Sequence, residues 1–174
     1  MRVIRNEMAW HSAEFFRAIE NTAATWCSLV PTQVFDLVRA RCRAPSSLRG
    51  VLVGGGALSE PLYRAARELG WPVLPSYGLT ECCSQVATAL PSTLHHRDFP
   101  QLRLLPHVQV RINGEGALEI FSPALLSGLL FIDGKSARVE DPRHAGWFTT
   151  DDCGEVIQGQ WLRLLGRRDD QVKV

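Results

Sequence analysis

A strand signal over Leu48–Val53 runs straight into Gly54, Gly55 and Gly56, and a capped helix follows directly. Ser59 supplies a capping hydroxyl, Glu60 suits the positive end of the helix dipole, and Pro61 is tolerated in a first turn. Leu62, Ala65, Ala66 and Leu69 recur on one helical face, and Gly70 ends the run. Trp71–Leu74 is the next short apolar strand. A strand that turns into a helix and returns to a strand needs a parallel sheet with helices over it.

The upstream sequence keeps the same alternation. Ser12 is placed to cap a helix through Phe15, Phe16 and Ile19, and Ala24–Val30 reads as a buried strand ending at Pro31. Thr32 is placed to cap a helix presenting Val34, Leu37 and Val38 on one side, and Pro45 with the two serines after it breaks the chain. Beyond about residue 90 the pattern changes. His107–Ile112 and Ala117–Phe121 flank Asn113-Gly114-Glu115-Gly116, and Glu155–Ile157 and Trp161–Leu165 flank Gln158-Gly159-Gln160. Both are hairpin signals, and Trp147–Thr150 adds a strand between them. The fold class expected is α/β: a parallel sheet with covering helices over residues 1–92, then a small antiparallel β-sheet or barrel lobe over 93–168.

Composition narrows the function classes. With 19 basic and 18 acidic residues the net charge is +1, so no bulk field draws the chain to nucleic acid or to an anionic membrane. Cys27, Cys42, Cys82, Cys83 and Cys153 make no paired metal-ligand spacing, which suits a reducing cytoplasm. The first ten residues lack the apolar stretch of a signal peptide, and no apolar run approaches a membrane span.

Four segments carry chemistry. Gly55, Gly56 and Ala57 let backbone approach a ligand after a strand, although a tight strand-to-helix connection needs the same residues. Tyr77-Gly78-Leu79-Thr80-Glu81 follows a strand at the edge where open α/β sheets hold ligands. It offers an aromatic face, a hydroxyl for a phosphate oxygen and a carboxylate for magnesium, or else a solvated polar loop. Gly146–Asp152 ends in two carboxylates suited to vicinal hydroxyls, and Gly166–Lys173 brings Arg167 for a sugar or phosphate. Taken singly, these last two are an acidic turn and a charge run.

In this order the segments resemble the adenylate-forming superfamily of acyl-CoA ligases, luciferases and peptide-synthetase adenylation domains, over about Ala24 to Val174. The resemblance implies part of the large N-terminal domain of such an enzyme. Gly55, Gly56, Ala57, Tyr77 and Gly78 would surround the adenine, with Tyr77 stacking on the ring. Thr80 would meet the adenylate phosphate and Glu81 would hold magnesium, making these two the catalytic pair. Asp152 would take the ribose hydroxyls with support from Arg167. Asp169 would be the hinge before a small C-terminal domain, with 169–174 its start. Leu79, where peptide synthetases carry Pro, and the run Cys82-Cys83-Ser84-Gln85 look like o-succinylbenzoate-CoA ligase of menaquinone synthesis. Ser84 and Gln85 would then contact the acyl group, although Ser84 also reads as a cap on a helix start.

The chain departs from that pattern in several places, Leu129 after Gly128 and the short segment between Thr88 and Val108 among them. Nothing before Gly54 resembles the family's Ser/Thr/Gly-rich phosphate loop ending in Lys, and the chain stops shortly after Asp169, before the lysine-bearing terminal domain. Asp151 stands where Gly usually precedes the ribose-binding Asp. The expectation is therefore a fragment of an AMP-forming ligase, acting on ATP, a small carboxylate and coenzyme A with magnesium, but inactive alone. It would work as a homo-oligomer or with a complementing chain. The alternative is a non-catalytic remnant that binds an adenylate or a protein.

Overall fold

The computed structural model describes residues 3–4, 9–134 and 136–168. The chain divides into two compact units. One comprises the chain up to Ser76 together with Ala89–Pro100, the other Tyr77–Thr88 together with the chain from Gln101 onward. The segment bearing Tyr77–Glu81 thus belongs with the second unit, whereas a division near residue 92 groups it with the first.

The first unit contains α1 (Ser12–Thr22), β1 (Trp26–Leu29), α2 (Pro31–Arg39), β2 (Gly50–Val53), α3 (Glu60–Glu68) and the first part of β3 (Val73–Leu79). β1, β2 and β3 are parallel neighbours, with Trp26 opposite Gly50 and Val51 opposite Val73. Such a sheet is buried on both faces. Val51, Val53 and Val73 accordingly pack with Val34 and Leu37 of α2 and Tyr63 and Ala66 of α3 in one core. Ser59 caps α3 as expected, its Oγ accepting the Leu62 N–H at 3.4 Å, and Gly70 closes the helix with φ +85°.

The other two caps differ from expectation. His11 is the residue with extended backbone before α1, and its carbonyl accepts the Phe15 N–H at 2.9 Å, so Ser12 is the first helical residue rather than the cap. α2 begins at Pro31, whose fixed φ suits a first turn, and Thr32 lies inside it. The Gln33 side chain reaches back instead, its Oε1 accepting the Val30 N–H at 2.9 Å.

The second unit is built from strands. Beyond the end of β3, a 3-10 turn (Thr80–Cys82) leads to β4 (Ser84–Thr88). There follow β5 (Leu102–Leu104), β6 (Gln109–Ile112), β7 (Ala117–Phe121), β8 (Leu129–Asp133), β9 (Ser136–Glu140), β10 (Arg143–His144), β11 (Trp147–Ile157) and β12 (Trp161–Arg167). An antiparallel sheet runs β4-β5-β12-β11-β7-β6, with β10 added to β11. Its inner face buries Val86, Leu102, Leu118, Ile120 and Leu162. Both expected hairpins form.

The α/β class is thus observed, with its antiparallel part as a sheet. Four features were not anticipated. β3 continues through Tyr77 and Gly78 to Leu79, Ser84 opens a strand instead of a helix, and β11 is one continuous strand. β8 and β9 also form a separate exposed hairpin. Among the described residues no helix is long and apolar enough to cross a membrane.

Candidate adenylate site

In the first unit, β2 ends at Val53 and the glycines follow. Gly54 lies close against Ser76, whose Oγ donates to the Val53 carbonyl at 3.1 Å; an added Cβ on Gly54 would meet that oxygen at 2.6 Å. Gly55 turns the chain with φ +74°, and Gly55, Gly56 and Ala57 are all exposed. This is an open backbone shelf at the C-terminal end of β2 and before the first turn of α3.

The second unit brings the other candidates together. Tyr77, on β3, is only 8% exposed. Its hydroxyl donates to Asp152 Oδ2 on β11 at 2.6 Å, linking residues 75 positions apart. Burial, then the bond to Asp152 and its charge, push the phenol well above its ordinary range, so Tyr77 stays a donor at neutral pH. Beneath the pair lies Thr150, 5% exposed. Its Oγ1 accepts the Asp152 N–H at 3.1 Å and donates to the Leu118 carbonyl at 3.1 Å. Sequence reasoning assigned Thr150 no role. A threonine two residues before a carboxylate on the same strand, able to accept the carboxylate residue's own N–H, was the available signal.

Arg167 lies opposite Asp152 in the strand register, but its Nη2 donates to Asp151 Oδ2 at 3.4 Å. Arg168 joins Asp151 at 3.1 Å and Glu115 at 3.0 Å. Asp151 is therefore the acceptor that holds both arginines. All of these groups are exposed, so the network contributes little stability, but it does fix where Arg167 points.

Thr80 is exposed and Glu81 half-buried on the 3-10 turn, and the Glu81 carbonyl accepts the Leu126 N–H at 2.8 Å. Among the described residues no cluster of three or more metal-ligating side chains exists. A single carboxylate on an anchored backbone fits magnesium, which commonly takes one or two carboxylates with substrate phosphates and waters. Cys83 and Ser84 then turn the chain with φ +52° and +112°, an unusual pair for residues other than glycine. Ser84 is exposed, and Gln85 is half-buried with its amide on the Thr88 hydroxyl. Asp169 lies outside the described residues, as do Lys135 and Lys173.

The thiols here differ in exposure. Cys83 is exposed while Cys82 is buried, and burial, then the charges of Glu81 and Cys83, raise the Cys82 thiol to about 11. Burial alone raises Cys27 from 9.0 to about 12. A raised thiol has less thiolate at pH 8, the form that reacts. Labelling with a chromogenic disulfide at that pH should show a fast phase that Cys83→Ser diminishes, with Cys27 and Cys82 reacting only on unfolding. The stabilisation from keeping Cys27 and Cys82 protonated is complete below pH 9 and lost as pH rises through about 11 to 12. A fast phase that Cys83→Ser leaves undiminished would contradict this order.

Comparison with known proteins now decides the family: the model for AMP-binding enzymes matches residues 2–137. The chain belongs to that family. It is 30% identical over 168 residues to 2-succinylbenzoate--CoA ligase of Staphylococcus aureus, an alignment covering 94% of this chain and 33% of that protein. The chain thus spans about a third of the length of the curated relatives it matches. The o-succinylbenzoate coenzyme A synthetase of Bacillus subtilis, solved with ATP and magnesium ion, superposes with a TM-score of 0.70 at 26% identity, over 94% of this chain and 36% of that one. In complex with the acyl-adenylate intermediate OSB-AMP, the same enzyme gives 0.70 at 27%, over 91% and 43%. The amide bond synthetase McbA from Marinactinospora thermotolerans gives 0.76 at 27%, over 94% and 36%. Both the α/β class and the resemblance read from the motifs agree with these matches.

Proposed function

We propose that this chain supplies adenosine and acyl recognition to an AMP-forming acyl-CoA ligase acting on an o-succinylbenzoate-like carboxylate. The observation that carries the reading is the Tyr77–Asp152 bond. It joins the two motifs expected to hold adenosine and presents a fixed carboxylate beside them.

In the reaction proposed, a substrate carboxylate oxygen attacks the α-phosphorus of ATP, and the bond to pyrophosphate breaks. The coenzyme A thiol then attacks the acyl carbon, its proton is lost, and AMP leaves. Catalysis of this kind is largely positioning and charge neutralisation. Asp152 accepts from the ribose hydroxyls. Gly55, Gly56 and Ala57 are assigned to the adenine, as are Tyr77 and Gly78. Thr80 donates to the adenylate phosphate, and Ser84 and Gln85 contact the acyl group. Glu81 would hold the magnesium ion, whose charge offsets that of the phosphates. Arg167 supports the sugar only after leaving Asp151. Asp169 is assigned the hinge, and residues 1–92 and 93–168 are assigned as the two lobes. The five free cysteines fit a cytoplasmic setting.

Calorimetric titration with a non-hydrolysable o-succinylbenzoyl-adenylate mimic tests this. Saturable binding is expected, weakened about 10- to 100-fold by Asp152→Ala, the size of a lost hydrogen bond to a charged group. Absence of binding to the folded chain would overturn the site.

A further inference from the structure

Asp152 is held at its backbone and at its side chain. Its backbone N–H donates to Thr150 Oγ1, a hydroxyl that is itself anchored on the Leu118 carbonyl of β7. Its Oδ2 takes the Tyr77 hydroxyl at 2.6 Å, a length typical of a charge-assisted O–H···O⁻ bond. Tyr77 is largely buried, with 8% of the residue exposed, and its hydroxyl is the part of it that meets Asp152.

We infer that the Tyr77 hydroxyl is a positioning group: by holding Oδ2 it aims the second oxygen of Asp152, and so sets how strongly the site distinguishes ribose from a sugar lacking hydroxyls. This rests on the adenylate reading above. An untethered aspartate samples several χ1 and χ2 wells and must be ordered when a ligand binds. A tethered one has lost that freedom on folding. Removing the tether therefore weakens only the interaction made through the sugar hydroxyls. Loss of a stacking ring would instead weaken every adenine nucleotide alike, and Tyr77→Phe keeps the ring.

The test is calorimetric titration of the full chain with AMP and with 2′,3′-dideoxy-AMP. The wild type is expected to prefer AMP, and Asp152→Ala to abolish most of that preference. Tyr77→Phe should lower the AMP-to-dideoxy ratio about 3- to 10-fold, one ordinary hydrogen bond, with dideoxy-AMP affinity unchanged. Tyr77→Phe added to Asp152→Ala should change nothing more, because the two act as one unit. Asp152→Glu leaves Tyr77 intact but shifts the carboxylate by a methylene, and should lower the ratio too. It keeps the question open to test if Tyr77→Phe unfolds. A ratio that either variant leaves at its wild-type value, or an equal loss for both nucleotides in Tyr77→Phe, overturns the inference alone. A wild type that binds both nucleotides equally removes Asp152 as the ribose group and the inference with it.

Discussion

Gly78→Ala is expected to destabilise the second unit by about 3 kcal/mol and to abolish binding of the adenylate mimic. An added Cβ would overlap the Ser84 carbonyl oxygen and lie 2.6 Å from its carbon and 3.0 Å from the Gln85 Cα. All three atoms are backbone, so no side chain can swing aside. Nor can the backbone easily yield. Cys83 and Ser84 already hold φ of +52° and +112°, and the Cys83 N–H closes the 3-10 turn on the Thr80 carbonyl at 3.1 Å. Relief would have to move Thr80 and Glu81, the two residues assigned to phosphate and magnesium. Gly114 is the matched control, because nothing lies within 4 Å of its built Cβ and its φ is not positive. Urea unfolding should separate the two clearly, with Gly114→Ala within about 0.5 kcal/mol of wild type. Equal stabilities would mean that the chain does not double back over Gly78 in solution.

That contact also shows where sequence reading runs out. Tyr77, Thr80, Glu81 and Asp152 each stood out as candidates because a motif fixes residue types at short spacing. What Tyr77 does was not legible, because its partner lies 75 positions away and only the folded sheet brings them together. Local rules succeeded where one local term dominates, as at the Ser59 cap and the two hairpins. They failed at α1 and α2, where a neighbour's extended backbone moved the helix start away from the hydroxyl residue. The second hairpin shows a subtler limit. A regular ladder growing outward from Ile157 opposite Trp161 would set Asp151 against Arg167. An irregularity between Cys153 and Gly154 leaves Leu165 without a partner, and Asp152 takes that place. Gly154 and Gly166 were the only hints, since glycine marks bulges as readily as turns.

Trp71→Ala should be the most damaging change in the first unit, lowering stability by about 3–5 kcal/mol. The indole is 2% exposed and packs in the core with Val34, Leu37 and Tyr63. Its Nε1 donates to the Cys42 carbonyl at 2.8 Å, joining the segment after α2 to the start of β3 across 29 positions. Truncation opens a cavity and also leaves that carbonyl without its donor. Small domains carry only about 5–15 kcal/mol in all, so Trp71→Ala can leave the first unit largely unfolded. Trp71→Phe separates the two contributions, because it keeps much of the volume and loses the hydrogen bond, for about 1–3 kcal/mol. Denaturant unfolding gives the order and hydrogen exchange gives the place. Amides of α2, α3 and β2 should lose protection in both variants, more so in the alanine. If alanine and phenylalanine cost the same, the ring's volume contributes nothing and the Cys42 bond carries the whole effect. If both cost under about 1 kcal/mol, the core of this unit is not organised around Trp71.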